Sequence, residues 1–236
     1  MRKPLGRRNA SSSSFRIGRH LVYCEGTKTE PYYVLNISEI INRLYCIPCK
    51  ATCITPVKMS RSKATMELVN FAEEDVRKRI QKNEQIDNVW IFFDKDSFDD
   101  FDAACKYVEN KNTSNGVNEH GFKYDENGIA WHLCWSNESF EVWVYLHFEN
   151  LITPLSRDVY IEKINSFIKN KGYLGTYKKN ESKLFELIQN NGGDIKKAIK
   201  FARAKDPGVG NNKPNPSTGV YSFAEFFNYY IENHKV

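Results

Sequence analysis

The chain has 236 residues, of which 41% are hydrophobic and 14% aromatic, and its 34 basic and 29 acidic residues give a net charge of +5. This is enough for one α/β domain with helical additions, or for two small domains. No run approaches the roughly 20 apolar residues of a membrane span, and no signal-peptide core follows the charged N-terminus, so we expect a cytoplasmic protein with reduced cysteines.

The first 16 residues are predicted to form a disordered basic arm. Before Glu25 the chain carries no acid but six basic residues: Arg2, Lys3, Arg7, Arg8, Arg16 and Arg19. Such an arm next to an acidic site would contact phosphates and raise the local concentration of a polyanionic substrate. An equally acceptable interpretation is a solvated tail with no binding role.

Residues 17–155 are predicted to alternate strands with helices. Strands are expected at 20–24, 52–57, 89–93 and 129–134, and helices at 31–44, 64–83, 99–110 and from the N-cap Ser136 to about 147. Residues 111–128 are polar and rich in Asn and Gly, which indicates a loop. Because the strands are continuous apolar runs, we predict an α/β fold with a parallel sheet covered by helices on both faces.

The remainder, residues 156–236, is predicted to be a helical extension that packs on this core. Its apolar spacing indicates helices at 158–170, 180–190, 193–204 and 221–234, with a Pro-, Gly- and Asn-rich loop at 206–219. The pattern leaves open whether the extension binds substrate, a partner or a second copy of the chain.

Two predicted strands end in acidic residues. The first ends in Glu25-Gly26 and the third in Asp94-Lys95-Asp96, and ligands bind open parallel sheets at the carboxyl ends of their strands. Asp94 and Asp96 are two residues apart, so their side chains can point the same way. Three carboxylates this close would repel one another without a cation, and a hard ion such as Mg²⁺ suits oxygen ligands. The alternative is that these acids only cap the helices that follow.

These motifs resemble a known family. An apolar strand ending in Glu-Gly, followed by a later strand ending in Asp-x-Asp, is similar to the Toprim signature. The longer string from Cys24 to Tyr33, Cys-Glu-Gly-x-Lys-Thr-Glu-Pro-x-Tyr, resembles the RloB-like family of bacterial restriction and abortive-infection gene neighbourhoods. The stretches 136–148 and 215–218 also resemble that family, so the likeness covers about residues 17–220.

The resemblance implies a Toprim-like core related to the OLD-type nucleases. Glu25, Asp94 and Asp96 then match the catalytic, metal-binding acids, and Glu30 matches a further acid of the nuclease branch. Glu141 is a weaker candidate for a second metal. Two Mg²⁺ or Mn²⁺ ions would activate the attacking water and stabilise the leaving oxygen of a phosphodiester. The chain departs from the family pattern at residues 138–139, which leaves the geometry of Glu141 open.

Several other residues are candidates for binding or for structure. Lys28, Lys95 and Lys178 would neutralise phosphate charge, or else they are ordinary surface lysines. His132 and His147 lie in apolar segments and are expected in the core. The Cys-x₂-Cys at residues 46–49 resembles half a zinc site, but no second pair follows at a suitable spacing.

Three functions remain after these observations. The first is a Mg²⁺-dependent nuclease acting on DNA or RNA, with a role in anti-phage defence implied by the resemblance. The second is a catalytically silent nucleic-acid-binding subunit or toxin component, activated by the large ATPase that the resemblance suggests as a partner. The third, a phosphatase of the haloacid dehalogenase class, is disfavoured because Phe98 stands where that class has Thr or Val, and because the motif is on the third strand.

Overall fold

A five-stranded sheet organises the computed structural model, which describes residues 17–48, 51–63, 65–95, 99–170 and 176–234. In the order β2-β1-β3-β4-β5, the first four strands are parallel and β5 is antiparallel to β4. The strands are β1 (His20–Cys24), β2 (Ile54–Pro56), β3 (Asn88–Asp94), β4 (Ala130–Asn137) and β5 (Ser217–Thr218). The predicted α/β class with a largely parallel sheet is confirmed.

Eight helices are present in the described part of the chain. They are α1 (Thr29–Leu44), α2 (Thr65–Gln81), α3 (Phe101–Glu109), α4 (Glu141–Leu146), α5 (Arg157–Asn170), α6 (Leu184–Asn190), α7 (Ile195–Arg203) and α8 (Val220–Glu232). Every predicted helix is found, with ends that differ by a few residues. Among the described residues, no helix combines the length and the apolar character that crossing a membrane requires.

The two faces of the sheet bury separate apolar layers. Along β1, Val22 and Cys24 pack into a layer formed with α1 and α4 to α8, whereas Leu21 and Tyr23 pack into a layer formed with α2 and α3. This follows from the alternation of side chains along a strand. Since both faces are covered, the central residues of the strands are mostly apolar, which explains the continuous runs in the sequence.

The end of β4 corrects the prediction for Ser136. We expected Ser136 to cap a helix, but it lies within β4, and α4 begins only at Glu141. Two pairings hold the end of β4 in the sheet. Ser136 pairs with Asp94 of β3, and β5, a strand that was not predicted in the segment expected to be a loop at 206–219, pairs with the last two residues of β4. The helical extension thus contributes a strand to the sheet of the core.

Side chains strengthen this junction between β4 and β5. The Thr218 hydroxyl donates a hydrogen bond to the Trp135 carbonyl at 2.9 Å, and the Asn137 amide donates to the Lys213 carbonyl at 2.7 Å. The Lys213 ammonium is itself buried and lies 3.0 Å from a Glu109 carboxylate oxygen on α3. The two stretches near residues 136 and 217 that carried the family resemblance therefore meet in space.

Two histidines and three cysteines outside the acidic site belong to the core. His132 stacks on the Trp90 indole, with ring centres 3.9 Å apart, and His147 is fully buried, as predicted for core residues. Burial lowers the pKa of each of these two imidazoles to about 3. Cys24, Cys105 and Cys134 are free and buried. Cys46 is exposed, and Cys49 lies outside the described residues.

Candidate active site

Two acids meet at the carboxyl ends of β1 and β3, which are neighbouring parallel strands. Their register pairs Cys24 with Phe92, and the ladder continues as the Glu25 backbone N–H donates to the Phe92 carbonyl at 2.8 Å. The Asp94 backbone N–H then donates to Glu25 Oε2 at 3.1 Å. The regular hydrogen bonding of the sheet thus fixes Glu25 and Asp94 side by side.

Glu30 joins them from the first turn of α1. Its side chain is only 7% exposed, and its carboxylate lies so close to Gly26 that a Cβ there would overlap Glu30 Oε2. Burial, together with the negative charges of Glu141 and Glu25, raises the pKa of the Glu30 carboxyl to about 7, while a backbone hydrogen bond and Lys179 oppose the rise. The Gly after the strand therefore leaves room for a second acid over the end of β1.

Asp94 is influenced by the same group of charges. Burial raises the pKa of its carboxyl well above the usual value, and Glu30, Glu141 and Glu25 add to the rise. The positive charge of Arg157, at the start of α5, lowers the pKa of Asp94. We call Glu25, Glu30, Asp94 and Glu141 the acidic cluster, because their charges act on one another at one edge of the sheet.

Glu141 is the most buried member of the acidic cluster, with 3% of its surface exposed. Its Oε1 accepts a hydrogen bond from the Tyr177 hydroxyl at 3.0 Å and lies 3.5 Å from the Lys179 ammonium. It is the first residue of α4, which follows β4 after a short turn, so the sheet also determines its position. The structure places Glu141 with the other acids, despite the departure from the family pattern just before it.

The other predicted site residues lie elsewhere. Asp96 is outside the described residues, as is the basic arm at 1–16. Lys28 is exposed just before α1. Lys95 lies 3.6 Å from Asp102 Oδ1 and over the Phe101 ring, so it is directed towards α3. Lys178 is exposed, and its two neighbours in the chain are the residues that contact Glu141.

The family model described as RloB-like protein matches residues 20–226. The chain belongs to the RloB-like family. No curated protein and no solved structure gives a match. The matched region begins at β1 and ends within α8, so the family includes both the parallel core and the helical extension.

Sequence reasoning missed three residues that the extension of this RloB-like chain brings to the acidic cluster. They are Arg157, Tyr177 and Lys179, which act on Asp94 or Glu141. No local pattern marks them, because each lies in a segment whose position depends on long-range packing. The resemblance to the RloB-like family also assigned them no role.

The acidic cluster offers donor atoms of the type that divalent cations prefer. Four carboxylates supply only oxygen ligands, which Mg²⁺ and Mn²⁺ prefer, and the Lys179 ammonium already places a positive charge against Glu141. Among the residues that the structure describes, however, no group of three or more His, Cys, Asp or Glu side chains is arranged to hold a metal ion. Asp96, the remaining predicted ligand, is not among them.

Proposed function

We propose that this RloB-like chain is a metal-dependent nuclease that hydrolyses phosphodiester bonds of DNA or RNA. The observation that supports this most is the acidic cluster itself, where four carboxylates act on one another at the carboxyl ends of parallel strands. Like charges that raise one another's pKa destabilise the fold in the absence of a counter-charge, and a bound hard cation would supply that counter-charge. A Toprim-type site related to the OLD-type nucleases would have this composition.

The roles of the chain's residues follow from their positions. Glu25, Asp94 and Asp96 would hold the cation, with Glu30 and Glu141 beside them as ligands of a second one. When bound, Mg²⁺ or Mn²⁺ supplies Lewis-acid chemistry, which activates a water molecule and neutralises phosphate charge. The hydrogen bond from the Asp94 backbone N–H would hold the Glu25 carboxylate in place before any substrate arrives. The hydrogen bond from Tyr177 holds Glu141 Oε1 in the same way.

A second function is favoured by one specific observation. Among the described residues, which leave out Asp96, the acids are not arranged to hold a metal ion, as would be expected of a site that becomes active only after a rearrangement. A nucleic-acid-binding subunit or toxin component that is silent until an ATPase partner binds would behave in this way. Both functions would suit a role in anti-phage defence.

Cleavage assays distinguish these two functions. Purified protein is incubated with labelled supercoiled DNA and with total tRNA, in the presence of Mg²⁺, Mn²⁺ or a chelator, beside the Glu25→Ala/Asp94→Ala double variant. We expect cutting that requires the metal and is lost in the double variant, while the variant keeps its fold by circular dichroism. Equal cutting by a folded double variant would contradict the site assignment. Metal binding without cutting would support the silent, partner-activated subunit.

A further inference from the structure

The segment 176–179 carries two side chains of the helical extension to the acidic cluster. Tyr177 and Lys179 are two residues apart, and both contact the same oxygen, Oε1 of Glu141, at 3.0 and 3.5 Å. Lys178, between them, is exposed. The segment has no regular secondary structure and enters a turn at Lys179, so its course depends on contacts with neighbouring elements.

The backbone of this segment is held on both sides of Lys178. On α5, the Asn165 side chain accepts a hydrogen bond from the Tyr177 N–H at 2.7 Å and donates one to the Tyr177 carbonyl at 3.3 Å. On α1, the Thr29 hydroxyl donates to the Lys179 carbonyl at 2.7 Å. Thr29 directly precedes Glu30, so the segment is tied to the same turn that positions a member of the cluster.

The Lys179 backbone is held by Thr29, whereas its side chain is half-exposed. It is 50% exposed, whereas Glu141 is 3% exposed, so the ammonium stands between the buried carboxylates and the solvent. An ammonium on a flexible stem is a strongly hydrated point charge that binds phosphate oxygens well. A divalent cation at the cluster would take over the neutralisation of Glu141, and the ammonium would then repel that cation unless an anion also bound.

We propose that Lys179 is a phosphate-binding residue of this site, which pairs with Glu141 in the free protein and with a substrate phosphate once a divalent cation is bound. Tyr177 is a positioning residue, since it acts through Glu141. This inference rests on the proposed function, and it adds to it the residue that engages the polyanion. It also explains why the extension belongs to the family's matched region: the extension completes the site.

Two binding measurements on Lys179→Met test this proposal, because the variant should bind nucleic acid more weakly but Mn²⁺ at least as tightly. Binding of a short fluorescein-labelled DNA duplex and of a labelled single-stranded RNA is measured by anisotropy over a range of KCl concentrations, with Ca²⁺ present and with probe integrity checked on gels. Lys179→Met is expected to bind the preferred probe roughly 10- to 100-fold more weakly, the loss of one charged hydrogen bond. The slope of log affinity against log KCl concentration should decrease in magnitude by about one, which corresponds to one fewer released counterion.

In the absence of nucleic acid, the same variant should bind Mn²⁺ at least as tightly as wild type, because the competing ammonium has gone. A residue with a merely structural role would weaken the binding of both ligands. Lys179→Arg keeps the charge and should retain most of the affinity for the probe. The control is Lys183→Met, four residues after Lys179, which removes a 69% exposed lysine whose partner is Glu186.

Each other outcome has a definite meaning. If Lys179→Met binds the probe as wild type does, or if Lys183→Met loses as much affinity, Lys179 has no specific role and the nuclease proposal is unaffected. If Lys179→Met binds Mn²⁺ more weakly, the residue is structural and the inference fails. If wild type neither binds nor cuts either probe, the proposed function fails, and this inference fails with it.

Discussion

Replacing Glu30 by glutamine is expected to stabilise the metal-free protein near pH 8. Burial and the neighbouring acids raise the pKa of the Glu30 carboxyl from its ordinary 4.5 to about 7 in the folded state. The folded protein therefore holds the proton more tightly than the unfolded chain does. The free energy of unfolding falls as pH rises from about 4.5 through about 7, and it stays reduced at higher pH.

The size of this effect follows from the difference between the two pKa values. The rise from 4.5 to about 7 corresponds to about 3 kcal/mol of unfolding free energy, which the ionised carboxyl removes near pH 8. Glutamine has nearly the same shape and carries no charge, so Glu30→Gln should avoid this loss. Its advantage over wild type should grow from near zero below about pH 4.5 to about 3 kcal/mol above about pH 7.

Urea unfolding followed by tryptophan fluorescence measures this difference, with chelator present throughout. Comparing the two proteins at each pH cancels the contributions of titrating groups that do not interact with Glu30. Glu39→Gln is a matched control, because Glu39 is an exposed acid on the same helix, and it should show no such pH-dependent gain. An unchanged or destabilised Glu30→Gln protein near pH 8, or a gain that does not vary with pH, would refute the electrostatic description of the acidic cluster.

Three further predictions concern single contacts. Gly26→Ala should weaken Mn²⁺ binding and reduce cleavage while the fold is kept, because its Cβ would displace the carboxylate beside it; Gly116→Ala, where a Cβ meets nothing within 4 Å, should have no effect in either assay. The pKa of the buried His147 imidazole is about 3 in the folded protein against 6.5 in the unfolded chain, so wild type loses unfolding free energy as pH falls below 6.5. His147→Phe lacks this titration, and in urea titrations it should lose about 2 kcal/mol less than wild type between pH 7 and about pH 5. Lys213→Met should cost about 3–5 kcal/mol in the same assay, because it leaves the Glu109 carboxylate unpaired, and an additional Glu109→Gln change should recover part of this loss.

Much of the fold is encoded in short segments and could be predicted. The four apolar runs predicted the parallel strands, because a strand buried on both faces has no polar alternation. The acids at residues 25 and 94 follow two of those strands directly, so neighbouring strands bring them together. Glu30 is only five residues after Glu25, and the intervening turn is short.

The remaining features depend on contacts that are distant in sequence. β5 has only two residues and forms a strand because it pairs with β4, which lies about 80 residues earlier in the chain. Ser136, expected as a helix cap, is a strand residue because it pairs with Asp94 of β3 and with Thr218 of β5. Tyr177 and Lys179 reach Glu141 only because Asn165 and the first turn of α1 hold their backbone. No local pattern in the sequence indicates contacts of this kind.

The central claim is that the acidic cluster binds a divalent cation. Electron paramagnetic resonance of free Mn²⁺, titrated with protein in the absence of nucleic acid, measures this binding directly. We predict that wild type removes the free Mn²⁺ signal, that Glu25→Gln/Asp94→Asn does not, and that the control Glu39→Gln behaves as wild type. If the folded Glu25→Gln/Asp94→Asn protein bound Mn²⁺ as tightly as wild type, the cation would lie elsewhere and the proposed site would be wrong.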